Sequence, residues 1–512
     1  MSEQHNLQIS NDYYSLEQDT TLIEPVPVFS ATPKLSPNLF AQFKSNFFNE
    51  MLAIQQLNGE MVQKIAQWLS ARSLAELQQL QDQAKQHLLY QGTSFNVYAE
   101  QAGIERSIPF DLIPRVIEMK QWQHISSGCV QRVKALNLFL DDIYHDQNIL
   151  NDGLIPAQQV MTHSAFQPHM LKHHLQGKIY AHISGIDVVR DETGEFFALE
   201  DNLRMPSGVS YMVECRKISQ KLMPNLCNSK NLQGIEHYPD LLKTVLMENA
   251  DVDKPFIVVL TPGRFNCAYY EHAFLAREMD VPLVTSHDLF VENDRVYVKT
   301  ICGRQRVDVI YRRIDDDFLD PLLFRSDSVL GVAGLMAAYL QHNVVIANAP
   351  GTGVADDKSI YPYVNRMIEY YLGETPILNN VPTYQCREPE QLDYVLRHLE
   401  QLVVKETQGS GGYGMLIGPQ ADEQQLAQFR QKIIATPHLY IAQPTLALSV
   451  APILTADGFA ERHIDLRPFV LSSPYRTEII SGGLTRVAMQ AGGLVVNSSQ
   501  GGGIKDTWVM KT

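Results

Sequence analysis

Residues 403–417, Val-Val-Lys-Glu-Thr-Gln-Gly-Ser-Gly-Gly-Tyr-Gly-Met-Leu-Ile, constrain this chain more than any other stretch. A β-branched run delivers Lys405 to a loop holding Gly409, Ser410, Gly411, Gly412 and Gly414. Glycine lets backbone N–H groups approach an anion with no Cβ in the way, and a lysine at the strand end adds a point charge to the same oxygens. The spacing Gly409-x-Gly411-x-x-Gly414 also fits the dinucleotide fingerprint, but that fingerprint needs a helix directly after the glycines. Here Met415-Leu-Ile417 is a β run that ends at Gly418-Pro419, and no Gly-Lys-Ser/Thr closes the loop. The pattern predicts strand, glycine loop, strand: a hairpin flap over phosphates, with a plain glycine-rich turn as the alternative.

A second constellation lies more than 200 residues earlier. Phe197-Ala-Leu-Glu-Asp-Asn-Leu-Arg204 reads as a strand, and Arg190-Asp-Glu-Thr-Gly194 before it has turn chemistry. Glu200 and Asn202 are two apart, so they face the same way. The turn would fold Asp187 back beside them on a neighbouring strand. All three offer oxygen ligands only, which suits Mg2+ and leaves positions for triphosphate oxygens and water. A solvated acidic edge strand fits these residues equally well. Asp201 faces the other way and reads as structural.

The 512 residues exceed one ordinary core, and 45% hydrophobic with 19% charged residues is a globular composition. The net charge of −15 speaks against general nucleic-acid binding, which needs a basic footprint, but a few local cations suffice for a nucleotide. Six cysteines, at 129, 215, 227, 267, 302 and 386, show no CxxC pair and read as reduced thiols. The start, MSEQHNLQ, lacks a signal-peptide pattern, and the longest apolar run, Val329 to Leu340, reads as a buried helix too short to span a membrane. A cytoplasmic protein with no membrane or nucleic-acid partner is expected.

Four regions are expected. Residues 1–95 form a tail and a helical region, with Ser73 and Glu76 as a capping box before the stripe Leu74, Leu77, Leu80, Ala84, Leu88. Residues 96–245 continue with helix over 111–145 and then hold the carboxylate strands. Residues 246–345 alternate strand and helix, as a small open α/β domain does. Residues 346–512 are β-rich, with candidate strands at 402–405, 415–417, 440–443, 463–471 and 494–496 and a helix over 359–372.

Weaker constellations complete the reading. Lys358 follows Asp356 and Asp357 at a helix start; it could reach a phosphate or be an exposed charge. Alternation puts His463, Asp465 and Arg467 on one strand face, and Arg486 is a candidate anion anchor. The tail around Asn497, Ser498 and Lys505 looks like a close-contact loop. Thr261-Pro-Gly-Arg-Phe-Asn266 ends one strand and Tyr311-Arg-Arg313 another, so Arg264, Asn266, Arg312 and Arg313 could read a substrate carboxylate. His169 and His173 have helical metal spacing but no companion acid, and read as part of a surface cluster.

Together Leu199 to Tyr211, Thr261 to His272, Val309 to Arg313 and Lys405 to Gly414 make the chain resemble the circularly permuted ATP-grasp proteins, which include glutathionylspermidine-synthase-like members. The resemblance covers roughly residues 90 to 510. It implies a circularly permuted ATP-grasp fold with an inserted open α/β domain, in which ATP lies between two α+β subdomains. Nucleotide contact passes to Lys358, Lys405 and the glycines, and Gln443 falls where an adenine-contacting linker is expected. The metal role passes to Asp187, Glu200 and Asn202. Glutathionylspermidine synthase has an arginine two positions before its first metal aspartate; this chain has Gly185 there, so Arg204, Arg467 and Arg486 become the candidates. The implied activity is ATP-dependent ligation of a small-molecule or peptide carboxylate to an amine through an acyl phosphate. An ATP-dependent phosphotransferase and a non-catalytic ATP-binding partner are the rivals, and a protein partner or homo-oligomer is left open.

Overall fold

The computed structural model describes residues 43, 46–56, 59–92, 94–97, 104–228, 230–264, 266–409, 414–496 and 501–511. Three helices lead: Glu50–Gln56, Glu60–Ser70 and Leu74–Tyr90. The last is started by a complete capping box, with Ser73 and Glu76 bonding each other's backbone N–H, and it buries Leu77, Ala84 and Leu88. Helix was expected from residue 111, but Phe110–Ile117 is a strand buried at every position. A fully buried run carries no period of its own, so its partner decides its conformation. That partner is the C-terminal strand Gly503–Val509, which lies parallel to it. The helix Met119–Tyr144 follows.

The largest sheet has ten strands and mixes both ends of the chain. Its main path runs Asn379–Asn380, Phe196–Asn202, Ile183–Arg190, Gly458–Arg467, Leu484–Val487, Gly503–Val509 and Phe110–Ile117. Val450–Thr455 joins Gly458–Arg467, and Phe469–Ser473 joins Ile183–Arg190. A four-stranded parallel sheet sits to one side, in the order Val345–Ala347, Val309–Arg312, Ile257–Leu260, Leu283–Val284, with the helix Tyr269–Glu278 between two of its strands. The short β-rich segment 289–306 adds three antiparallel strands.

A separate four-stranded antiparallel sheet, Tyr384–Gln385, Tyr440–Pro444, Leu402–Glu406 and Leu416–Ile417, has its own small core around Leu399, Val404, Ile433 and Ala442. Val403 pairs with Ile417 and Val404 with Leu416, so the glycine loop joins two antiparallel strands.

Other expectations are corrected. Only Leu335–Leu340 of the run 329–340 is helical, because Gly334 sits at φ 82° and Val329 is exposed. Residues 359–372 form short 3-10, α and π turns rather than one helix. Residues 494–496 are not a strand. Lys505 is fully buried against Asp111 (2.9 Å) and the Pro452 carbonyl (2.7 Å), while Asn497 and Ser498 lie outside the described residues. Among the described residues no helix is long and apolar enough to cross a membrane.

Asp201 faces away from Glu200 and Asn202, and both its carboxylate oxygens accept from buried Arg132, at 2.6 and 2.8 Å. Removing the carboxylate strands a guanidinium in the core. Asp201→Ala is therefore expected to lower unfolding free energy by about 3–5 kcal/mol in urea titrations.

Candidate functional site

The hairpin Ile183–Arg190/Phe196–Asn202 sets the first wall of the site. Asp187 pairs with Glu200 and Gly185 with Asn202, with a bulge after Asp187. Asp187, Glu200 and Asn202 all line one cleft of about 420 Å³. The antiparallel sheet supplies the facing wall through Val403, Lys405, Glu406, Gly409, Met415 and Ile417.

Lys358 ties the walls together. Its Nζ lies 2.7 Å from Glu200 Oε1 and donates to the Gly409 carbonyl at 2.6 Å, while its backbone N–H donates to the Thr407 carbonyl. Lys358 is thus inside the cleft, not an exposed helix-start charge. Lys405 comes from the strand Leu402–Glu406. Burial pulls its pKa down to about 8, opposed by Glu200 and reinforced by the nearby Lys358 charge. Two ammonium groups near one cleft repel each other, and an anion between them relieves that repulsion.

Gly414 closes the described part of the loop at φ +68°, and an added Cβ would lie 2.9–3.1 Å from the Glu406 carboxylate. Only glycine fits without strain there. Ser410, Gly411 and Gly412 lie outside the described residues.

The strand Gly458–Arg467 brings in Asp465 and Arg467, and its neighbour Leu484–Val487 brings in Arg486. Arg467 donates to Asp187 through Nε (2.5 Å) and Nη2 (2.9 Å) and to the Ser207 carbonyl at 3.2 Å. Arg486 bridges Asp187, at 2.6 Å, and Asp465. Burial pushes the Asp187 carboxyl up, but Arg467 and Arg486 outweigh it and hold it well below the usual range. Burial and the Asp187 charge leave Asp465 raised despite Arg486.

A known family model, circularly permuted ATP-grasp type 2, matches residues 114–488. The chain belongs to that family.

Family membership implies ATP binding. An uncharacterized protein from Synechocystis is 47% identical over 468 residues, covering 91% of this chain and 97% of that one. A Frankia alni protein carrying the name "Putative glutamate--cysteine ligase 2-3" is 41% identical over 426 residues; they cover 82% of this chain but only 48% of the Frankia protein. That name therefore describes a protein about half of which has no counterpart here. A glutathione synthetase-like effector from Globodera pallida has the same fold at a TM-score of 0.53 and 11% identity, over 86% of this chain and 98% of that one.

Within this ATP-grasp frame the arginines separate. A Cβ at Gly185 would sit 3.0 Å from Pro206 and 3.3 Å from Arg467 Cδ. The space beside Gly185 is therefore filled by Arg467, which arrives from a neighbouring strand. Arg204 does not line the cleft; it pairs with Asp356 at 2.7 Å and Asp315 at 3.6 Å. Gln443 lines the cleft. Its Oε1 accepts from Lys405 at 2.8 Å and its Nε2 donates to Thr383 at 2.9 Å, so its side chain orients the lysine.

The substrate-side residues divide in the same way. Arg312 is buried on the carbonyls of Asn348, Ile314 and Ala349. Arg313 is buried on Pro206, Ser207, Tyr311 and Glu271. Both are scaffold, because a strand end packed under other elements needs its carbonyls satisfied. Arg264 is exposed, and Asn266 accepts from the Ala268 N–H at 2.9 Å; Cys267 and Ala268 line the cleft instead. Asp465 and Glu406 also line it; period-2 alternation from Arg467 was the available signal for Asp465, whereas the same rule puts Glu406 opposite Lys405 and gave no signal for it. His463 instead bonds the Leu448 carbonyl. His173 is buried rather than superficial, and the described residues hold no cluster of three or more His, Cys, Asp or Glu side chains that could hold a metal ion.

A triphosphate beside Lys405 favours its charged form and raises its pKa. Binding should then take up as much as about three-quarters of a proton near pH 8.5, and affinity should fall as pH rises through 8. Calorimetry of ATP binding in buffers of different ionisation enthalpy measures this uptake. Lys405→Arg should abolish it.

Proposed function

We propose that the protein is an ATP-dependent carboxylate–amine ligase working through an acyl phosphate. One observation carries the reading: two lysines, two arginines and the three oxygen-donor side chains Asp187, Glu200 and Asn202, from segments over 200 residues apart, converge on one cleft with apolar flanks. Leu199, Val381, Val403, Ile417 and Leu446 provide the apolar flank suited to a purine, and Lys358 and Lys405 the charge suited to its phosphates.

Asp187, Glu200 and Asn202 are the residues that would hold Mg2+. Their donor chemistry fits a hard cation, and they lie side by side on one hairpin. Bound there, the ion would offset charge on the phosphoryl oxygens. Gly185 with Arg467 in its place makes Arg467 the arginine aimed at the transferring phosphoryl group, and Arg486 the residue that fixes Asp187 and Asp465. Arg204 is assigned a scaffold role.

A substrate carboxylate oxygen attacks the γ-phosphorus, and the bond from that phosphorus to the ADP oxygen breaks. The amine nitrogen then attacks the acyl carbon, phosphate leaves, and the amine loses a proton. No protein nucleophile is needed. Lysines and the arginine stabilise the transferring charge, and positioning supplies much of the rate. The glycine hairpin would shield the acyl phosphate from water.

ADP release should be screened against pooled amino acids, peptides and polyamines, with mass spectrometry of the products. Lys405→Met and Glu200→Ala are expected to lower turnover at least about a hundredfold. Hydroxylamine should trap a hydroxamate. A phosphorylated product with no hydroxamate would mean a phosphotransferase instead, and wild-type turnover in both variants would remove the site assignment.

A further inference from the structure

The nucleotide cleft is braced from behind by a segment that precedes the family-matched region 114–488. Glu50, the first residue of the helix Glu50–Gln56, is 3% exposed. It accepts from Arg115 Nε at 2.8 Å and Nη2 at 2.7 Å, and from Ser449 Oγ at 2.7 Å. Burial opposes its charge, but Arg115 and Arg190 hold its pKa below the usual carboxylate value. The same Arg115 donates to the backbone carbonyl of Asp465 at 3.0 Å.

Both ends of this brace reach the cleft. Ser449 directly follows the stretch in which Thr445, Leu446 and Leu448 line the cavity, and Asp465 lines it from the next strand. The backbone repeats the link: the Val450 N–H donates to the Phe48 carbonyl at 2.9 Å, and Asn49 bridges Val450 as a parallel neighbour. Phe48 lies under the Arg190 guanidinium at 4.2 Å, and Phe47 packs edge-on against His463 at 4.6 Å. Hydrophobic packing would suffice to attach a helix. A buried carboxylate with two charge-assisted bonds and a hydroxyl adds direction, because each partner must be met at a fixed angle.

We infer that Glu50 is a positioning residue for the nucleotide site, holding through Ser449 the strip 445–448 at the height of the base. This rests on the nucleotide reading above. It makes a distinction that a general stabilising role does not: Glu50 acts through Ser449 on the base end of the cleft, whereas the two lysines at the phosphate end, Lys358 and Lys405, are held by other elements.

The test compares ATP with inorganic tripolyphosphate, which has no base, by calorimetry on the full chain. Glu50→Gln removes the charge and is expected to weaken ATP binding on the order of tenfold while leaving tripolyphosphate affinity unchanged. Ser449→Ala should give a smaller loss in the same direction. Glu60→Gln, on an exposed carboxylate paired with Lys64, should change neither. Circular dichroism confirms that each variant is folded, and Ser449→Ala decides the matter if Glu50→Gln is not. Unchanged ATP affinity in a folded variant overturns the inference. So does an equal loss for ATP and tripolyphosphate, which would mark plain loosening. Native protein that binds neither probe would overturn the nucleotide reading itself.

Discussion

Opposite charges from distant parts of the chain neutralise one another in one cleft, and the site depends on that pairing. Glu200 meets Lys358, and Asp187 meets Arg467 and Arg486. None of these groups could be desolvated alone without a cost of several kcal/mol. Each is tolerable because its partner arrives from another segment. On the proposed reading, the cations would turn to phosphate oxygens and leave the carboxylates for a hard cation, without adding a new unpaired charge to the interior.

The scaffold around the cleft follows the same logic with the charges spent. Arg132 is satisfied by Asp201, Arg216 by Asp506, Lys505 by Asp111 and Arg313 by Glu271. Arg216, Lys505 and Arg313 bond backbone carbonyls as well, and several of the pairs join elements far apart in the chain. Glu271 shows how far this reaches. It accepts from Gly208 N, Ser210 N and Ser210 Oγ while pairing with Arg313, so one carboxylate shapes the loop on the cleft wall. Arg312 and Arg313 stand at the carboxyl end of a parallel sheet, where ligands often bind. They are nevertheless occupied, since the elements packed over that sheet leave carbonyls that need donors.

Much of the site was legible because it rests on local rules. Period-2 alternation put Glu200 and Asn202 on one face and Asp201 on the other, and the turn at 190–194 put Asp187 beside Glu200. A glycine loop between two β runs gave the hairpin, with Lys405 on its first strand. What was not legible depends on partners. Phe110–Ile117 is a strand because Gly503–Val509 lies beside it, and no pattern within eight buried residues shows that. Gln443 also orients Lys405, because Thr383 holds its other end. Glu50 looks like any surface acid in sequence, and only the fold closes Arg115 and Ser449 around it.

The sequence by itself determined which side chains share a face and which loops can come close to an anion, since both follow from backbone geometry over a few residues. Tertiary structure decided which charges are free for a ligand and which are consumed. That outcome depends on desolvation and on partners hundreds of residues away, and neither is written in local spacing. Arg467 is the sharpest case: it fills the space beside Gly185 only because its strand lies next to the carboxylate hairpin in the assembled sheet.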